Sequence, residues 1–129
     1  MPDIVKILKS KHINYILSGA TKEQIEQAEK ALDLRFTNEY RDYLITFGVI
    51  SFGGHEFTGF CASSRLNVVD VTISERINNP TVPMNYYVVE QANIDGIVVW
   101  QSHIGEVYQT APNMQPFKLC NSLCEYIDL

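Results

Sequence analysis

The chain has 129 residues, of which 46% are hydrophobic and 19% are charged. At roughly 150 residues per domain this length predicts one domain with its own hydrophobic core, and the low charged fraction argues against a disordered chain. The net charge of −5 at pH 7 disfavours direct binding to nucleic acid, because a basic surface supplies most of the affinity in such complexes.

The N-terminal part of the chain predicts two helices separated by a break at residues 18–20. Three apolar residues share one face of a short first helix: Ile4, Ile7 and Leu8. Thr21 and Gln24 have the spacing of a capping box, which predicts the start of a second helix. Its buried side is expected to carry Ile25, Ala28 and Leu32.

Two further helices are predicted from capping residues. Thr37 is expected to cap a third helix, and Gly48 suits the left-handed residue that ends it. The spacing of its apolar residues places four side chains inside: Tyr40, Tyr43, Leu44 and Phe47. Ser122 is expected to cap a short last helix that buries Leu123, Tyr126 and Ile127.

From residue 49 onward the pattern changes to β-branched and aromatic residues bounded by glycines. Gly53 and Gly54 predict a turn, and the residues around them predict a hairpin or a bulged strand pair. Three later segments predict an antiparallel meander, because their connections are too short for parallel crossovers: residues 86–90, 97–101 and 106–109. Two segments before the meander are interpreted as a strand end or loop exit at Val68–Val71 and as one helical turn at Ser74–Ile77. The segment after it is interpreted as a loop at Pro112–Pro116.

These elements predict a single α+β domain spanning residues 1–129. We expect a bent antiparallel β-sheet with the N-terminal helices and a C-terminal helix packed on it, since glycines at strand ends permit bulges and kinks. No apolar run reaches the roughly 18 residues that span a bilayer. The N-terminus has no basic region followed by an apolar stretch, so we expect no membrane association and a cytoplasmic protein.

The sequence contains no recognisable catalytic or cofactor-binding motif. A phosphate-binding glycine loop and a metal-ligand spacing are both missing, so no cofactor and no metal are expected. The three cysteines form no CxxC pair and are expected to be reduced. His55 and Glu56 are neighbours on a predicted strand and point to opposite faces, which disfavours a catalytic dyad. We therefore expect no catalytic residues and a protein that is not an enzyme.

Residues 20–128 resemble the SUKH superfamily in the order and spacing of several segments. Residues 21–34 match its capped acidic helix, residues 36–44 the helix that follows, residues 51–60 its glycine-rich hairpin, and residues 122–127 its closing helix. Thr37 stands where the family usually has proline. The resemblance implies a bent antiparallel sheet and, for most bacterial members, an immunity protein that neutralises a cognate polymorphic toxin, often a nuclease. Fungal relatives act in cell-wall regulation and signalling.

The distribution of charge suggests where such a partner would bind. Residues 1–35 carry six basic and five acidic side chains, whereas residues 36–129 carry four basic and ten acidic ones. An acidic surface attracts a basic partner, here the cognate toxin domain. An RNase is favoured over a DNase by family habit alone. The candidate toxin-binding residues are Glu56, Asp70, Glu75, Tyr86, Glu90, Asp95 and Glu106.

Three readings of the function remain open. The first is a toxin-neutralising protein, the second a regulatory or scaffold module that is not an enzyme, and the third a small enzyme. The third requires a pocket in which His55 or His103 meets a carboxylate. The sequence leaves open whether the protein is a monomer or a homodimer, because exposed strand edges permit pairing.

Overall fold

The computed structural model describes residues 3–16, 18–92 and 95–129. Within these ranges the chain forms five α-helices and seven β-strands. In chain order they are α1 (Ile4–Lys9), β1 (Ile13–Ile16), α2 (Lys22–Leu32), α3 (Asn38–Phe47), β2 (Ile50–Phe52), β3 (His55–Phe57), α4 (Val68–Asn78), β4 (Tyr87–Gln91), β5 (Val98–Gln101), β6 (Val107–Thr110), β7 (Phe117–Cys120) and α5 (Leu123–Ile127).

The seven strands form one sheet in which every strand pairs antiparallel with its neighbour in the chain. The hairpin of β2 and β3 turns at Gly53 and Gly54, as predicted. The meander of β4, β5 and β6 is also confirmed, and the sheet continues beyond it on both sides. The fold is therefore of the predicted α+β class.

Side-chain caps start three of the helices at the predicted residues. The Thr21 hydroxyl accepts from the Gln24 amide at 3.2 Å, and the Gln24 side chain accepts from the Thr21 amide at 2.9 Å. Thr37 and Ser122 each accept from the amide three residues later, at 3.1 Å in both cases. These caps satisfy amides that would otherwise have no partner in the first turn.

The core lies on both faces of the sheet. The main cluster packs helical side chains against the inner face, and its aromatic centre contains Tyr40, Tyr43, Phe57 and Tyr87. The hydroxyl of Tyr43 donates to the backbone carbonyl of Thr58 at 2.7 Å, so the buried phenol is satisfied. A smaller cluster covers the other face of β4 and β5, and its members are Val71, Val82, Val88, Val98 and Trp100.

The interpretation of Val68–Val71 as a strand end or loop exit was wrong, whereas the helical turn predicted at Ser74–Ile77 is confirmed as part of a longer helix. Val68–Val71 begins a helix, and Ser74–Ile77 belongs to the same helix, α4, which has 11 residues. The side chain of Asn67 accepts from the amides of Val69 and Asp70, at 3.0 and 3.2 Å. This N-cap and the burial of one helix face outweigh the β propensity of the valines.

Two edge strands were not predicted from the sequence. Residues 13–16 form β1, and residues 117–120 form β7 directly after the loop at Pro112–Pro116. Most side chains of β7 are exposed or half-buried. Such short edge strands lack the clear apolar alternation that identifies a strand with one buried face.

Candidate interaction surface

Glu90, one of the predicted contact residues, lies in the interior of the protein. In the pairing of β4 with β5, Val88 lies opposite Trp100 while Glu90 lies opposite Val99, so β4 contains one extra residue. A β-bulge of this kind re-aims the side chains that follow it. Val99 belongs to the main core, and Glu90 is only 5% exposed. The bulge therefore turns this carboxylate toward the core instead of toward a partner protein.

The buried carboxylate of Glu90 joins three parts of the fold. Its oxygens accept from the phenol of Tyr126 on α5, from Nδ1 of His55 at 3.0 Å and from the backbone amide of Glu56 at 2.7 Å. Burial, followed by the nearby carboxylate, raises the pKa of Tyr126 well above its usual range, so this phenol stays protonated and donates. Each of the three donors compensates part of the cost of burying a charge.

His55 meets a carboxylate, as the enzyme reading requires, but it does so within the packed structure. Its ring lies 5.3 Å from the ring of Phe52 and 5.5 Å from that of Tyr126, measured between centroids. The side chain of Glu90 is 7% exposed and that of His55 is 30% exposed. The second histidine of that reading, His103, contacts the amide nitrogen of Asn85 at 2.9 Å. These contacts indicate a stabilising role for the His55 and Glu90 pair.

The contact between His55 and Glu90 is expected to make the free energy of unfolding depend on pH. Hydrogen bonding to Glu90 is the main cause that raises the pKa of His55 above its usual 6.5. The folded state then binds the proton more tightly, so this contribution is complete below about pH 6.5 and is lost as the pH rises through the raised pKa. We expect the free energy of unfolding to fall between pH 6 and 8 more steeply in the wild type than in His55→Gln.

Chemical denaturation at several pH values measures this difference. His12 and His103 are present in both proteins, so the comparison isolates His55. Parallel pH profiles for the wild type and His55→Gln would show that His55 gains no proton affinity on folding.

Two other predicted residues, Tyr86 and Glu106, lie close together beside the outer edge of the meander. The ring of Tyr86 lies 5.3 Å from that of Tyr108, and the Tyr108 hydroxyl donates to Glu106 at 3.0 Å. Lys118 on β7 donates to the other oxygen of Glu106 at 2.9 Å. The hydrogen bond from Lys118 is the main reason why the pKa of Glu106 is lowered. The cluster therefore presents the aromatic pair of Tyr86 and Tyr108 beside the Glu106 carboxylate, which is paired with Lys118.

The remaining predicted residues are spread over three elements. Glu56 on β3 forms an ion pair with Arg65, and Glu75 on α4 accepts from the side-chain amide of Asn78 at 3.1 Å. Asp70 lies exposed in the first turn of α4. Asp95 lies exposed in the turn before β5 with a φ of 54°, a left-handed conformation that aspartate tolerates.

The sequence interpretation missed α4 as an element and therefore missed its solvent-facing side chains. The signal that identifies the helix was present: Asn67 directly precedes residues at helical spacing, the apolar Val68 and Val71 and the polar Thr72, and all three are buried. The caps at Thr21 and Thr37 were recognised by the same reasoning. The exposed side of α4 holds Asp70 and two isoleucines.

The described residues hold neither a metal-binding cluster nor a membrane-spanning helix. They contain no group of three or more His, Cys, Asp or Glu side chains placed to hold a metal ion. None of the helices in the described ranges has the length and apolar character needed to cross a membrane.

Comparison with known proteins gives one family. The model SUKH_5, described as SMI1-KNR4 cell-wall, matches residues 1–120. This range includes every strand and the first four helices and leaves out α5. No curated protein matches the chain.

Proposed function

The chain belongs to the SUKH superfamily, and from this premise we propose that it is an immunity protein. It binds the C-terminal toxic domain of a cognate polymorphic toxin, a nuclease and more specifically an RNase, and covers its basic active-site region. The toxin acts on intracellular nucleic acid, so the proposed site of action is the cytoplasm. The family match carries this proposal, and the excess of acidic residues beyond residue 35 supports it.

The acidic surface of the chain suits the chemistry of a nuclease. A nuclease holds phosphate with basic side chains and therefore carries a positive cleft. Asp70 and Asp95 are exposed acids on two different elements of the immunity protein. Complementary charge accelerates encounter, and desolvated ion pairs slow dissociation.

Some of the proposed contact residues already hold a basic partner. Glu56 pairs with Arg65, and Glu106 pairs with Lys118 at 2.9 Å. A toxin arginine is able to replace either intramolecular partner, since surface ion pairs contribute about 1 kcal/mol or less. The proposed contact residues are thus Glu56, Asp70, Glu75, Tyr86, Asp95 and Glu106, without the buried Glu90.

Co-expression tests the function itself. Cells that express the toxin domain encoded beside this gene are expected to grow only when the immunity protein is also present, and the two proteins are expected to purify together. Growth arrest that persists despite abundant soluble immunity protein would contradict the proposal.

Neutralising acids on the proposed surface is expected to slow association with the toxin domain. The variant Asp70→Asn, Asp95→Asn, Glu106→Gln loses three negative charges, and we expect about a tenfold slower association at low ionic strength and a smaller effect at high salt. Stopped-flow or surface-based kinetics measures the rate.

The matched control removes the same charge from exposed residues of α2 and α3. Its substitutions are Glu23→Gln, Glu26→Gln and Asp42→Asn. Equal association rates for the two triple variants would place the contact surface elsewhere.

The matching family is described as SMI1-KNR4 cell-wall, which favours one second candidate, a regulatory module in cell-wall biology. In that case the protein binds a signalling or cell-wall partner and is not encoded beside a toxin. The co-expression experiment separates the two, because a regulatory module does not restore growth.

A further inference from the structure

Helix α4 has apolar side chains on both of its faces. Val68, Val71 and Thr72 are buried against the sheet. On the opposite side, Ile73 is 46% exposed and Ile77 is 77% exposed. A surface helix normally presents polar residues to water, and a helix that is apolar all round is normally covered on all sides. The outer side of α4 is therefore suited to a partner.

A third exposed apolar residue, Met84, lies on a loop that is bonded to α4. Residues four apart lie on one helix face, which places Ile77 one turn beyond Ile73. Arg76 donates from Nη2 to the Met84 carbonyl at 2.6 Å, and this contact fixes the loop of Met84 beside the C-terminal half of α4. The Met84 side chain is 63% exposed. We call Ile73, Ile77 and Met84 the α4 ridge.

The charged side chain that faces solvent next to the α4 ridge is acidic. Asp70 precedes Ile73 by three residues and Ile77 by seven, so it lies on the same exposed face. The cation of the helix, Arg76, is turned inward, where Nη2 also donates to the Leu32 carbonyl of α2 at 2.9 Å. The ridge is thus an apolar strip with an exposed carboxylate on its own face.

We propose that the α4 ridge is the surface on which the toxin domain docks, with the isoleucines inserted in an apolar socket bordered by basic side chains. This inference rests on the proposed function and names the part of the protein that performs it. A few buried apolar anchors dominate binding energy, and charges around them set the rate and the choice of partner.

The negative charge of the chain also disfavours a second copy of the chain as the partner that binds the α4 ridge. Each copy carries a net charge of −5, and a symmetric α4 contact would bring both copies of Asp70 into one interface. Like charges brought together in an interface are unfavourable. A basic partner relieves this repulsion and pairs with the same carboxylates.

The test measures the affinity of the toxin domain encoded beside the gene for three forms of the full chain. These are the wild type, Ile73→Ser with Ile77→Ser, and a control with Ile45→Ser and Ile104→Ser, which changes two exposed isoleucines elsewhere. We expect about 100-fold weaker binding for the α4 variant, about tenfold for each anchor, and a change below threefold for the control. Circular dichroism and thermal unfolding confirm that both variants are folded.

The outcomes separate this inference from the proposed function. Tight binding by the wild type together with equal affinity of the α4 variant overturns the docking surface and leaves the immunity function standing. Failure of the wild type to bind overturns the proposed function and this inference with it. Sedimentation that shows a wild-type dimer dissociated by the Ile73 and Ile77 changes makes a second copy the occupant and also overturns the inference.

Discussion

Replacing Gly59 with alanine is expected to cost at least about 4 kcal/mol of the free energy of unfolding, which is in the exceptional range for one substitution. A Cβ at this position lies 1.5 Å from the carbonyl oxygen of Gly48 and 2.7 Å from its carbon. Both are backbone atoms, so no side chain is able to move aside. A protein with an ordinary stability of about 5–15 kcal/mol then becomes marginal or unfolded.

The close approach is held from both sides. The amide of Gly59 donates to the Leu66 carbonyl at 2.8 Å, and its own carbonyl accepts from the Val68 amide at 2.8 Å. The Gly48 carbonyl accepts from the next amide, that of Phe60, at 3.2 Å. Moving residue 59 to relieve the clash therefore breaks hydrogen bonds that connect the end of α3, the hairpin and the start of α4.

Urea unfolding measures the loss, with Gly53→Ala as the matched control. A Cβ at Gly53 meets no atom within 4 Å, and its only cost is the left-handed backbone at φ 48°, about 1–2 kcal/mol. Insoluble Gly59→Ala beside soluble Gly53→Ala agrees with the account. Equal stability of the two variants would show that the backbones do not approach as described.

Replacing Glu90 with alanine is expected to reduce the free energy of unfolding by about 3 kcal/mol. The substitution leaves the Tyr126 phenol and the Glu56 amide without their acceptor and opens a cavity between β4 and α5. It also removes the partner of His55. Because the same carboxylate connects α5 to the sheet, we expect hydrogen exchange in α5 to increase more than in α2.

Two further variants serve as comparisons for Glu90→Ala. Glu90→Gln keeps the length of the side chain and one acceptor oxygen, and its loss of stability is expected to be smaller than that of alanine. Glu26→Ala removes an exposed acid of α2 and is expected to change stability by less than about 0.5 kcal/mol. A Glu90→Ala protein as stable as Glu26→Ala would mean that the buried contacts contribute nothing.

Local signals explain which helices the sequence predicted. The caps at Thr21, Thr37 and Ser122 each act on the amide three residues away, so residue type and spacing are sufficient to recognise them. The same is true of the hairpin at Gly53 and Gly54. α4 was missed because the valines at its start favour strands, although the capping residue Asn67 and the helical spacing after it indicate a helix.

Non-local packing explains why the candidate site was predicted only in part. Glu90 was expected at the contact surface because it is acidic and lies outside the N-terminal helices. The bulge in β4 that buries it depends on the pairing with β5, and its donors come from residues 35, 34 and 36 positions away. The isoleucines of α4 became candidates only when the fold showed which face of the helix is already covered.

Toxin neutralisation by direct covering is the proposed function of the chain. Titration of the purified full chain into the toxin domain encoded beside its gene, at physiological salt, measures binding heat and RNA cleavage in the same samples. We expect a one-to-one complex with a dissociation constant of about 1 nM or below and loss of RNA cleavage at equimolar protein. Unchanged cleavage at a tenfold excess, with no binding heat, would contradict the account.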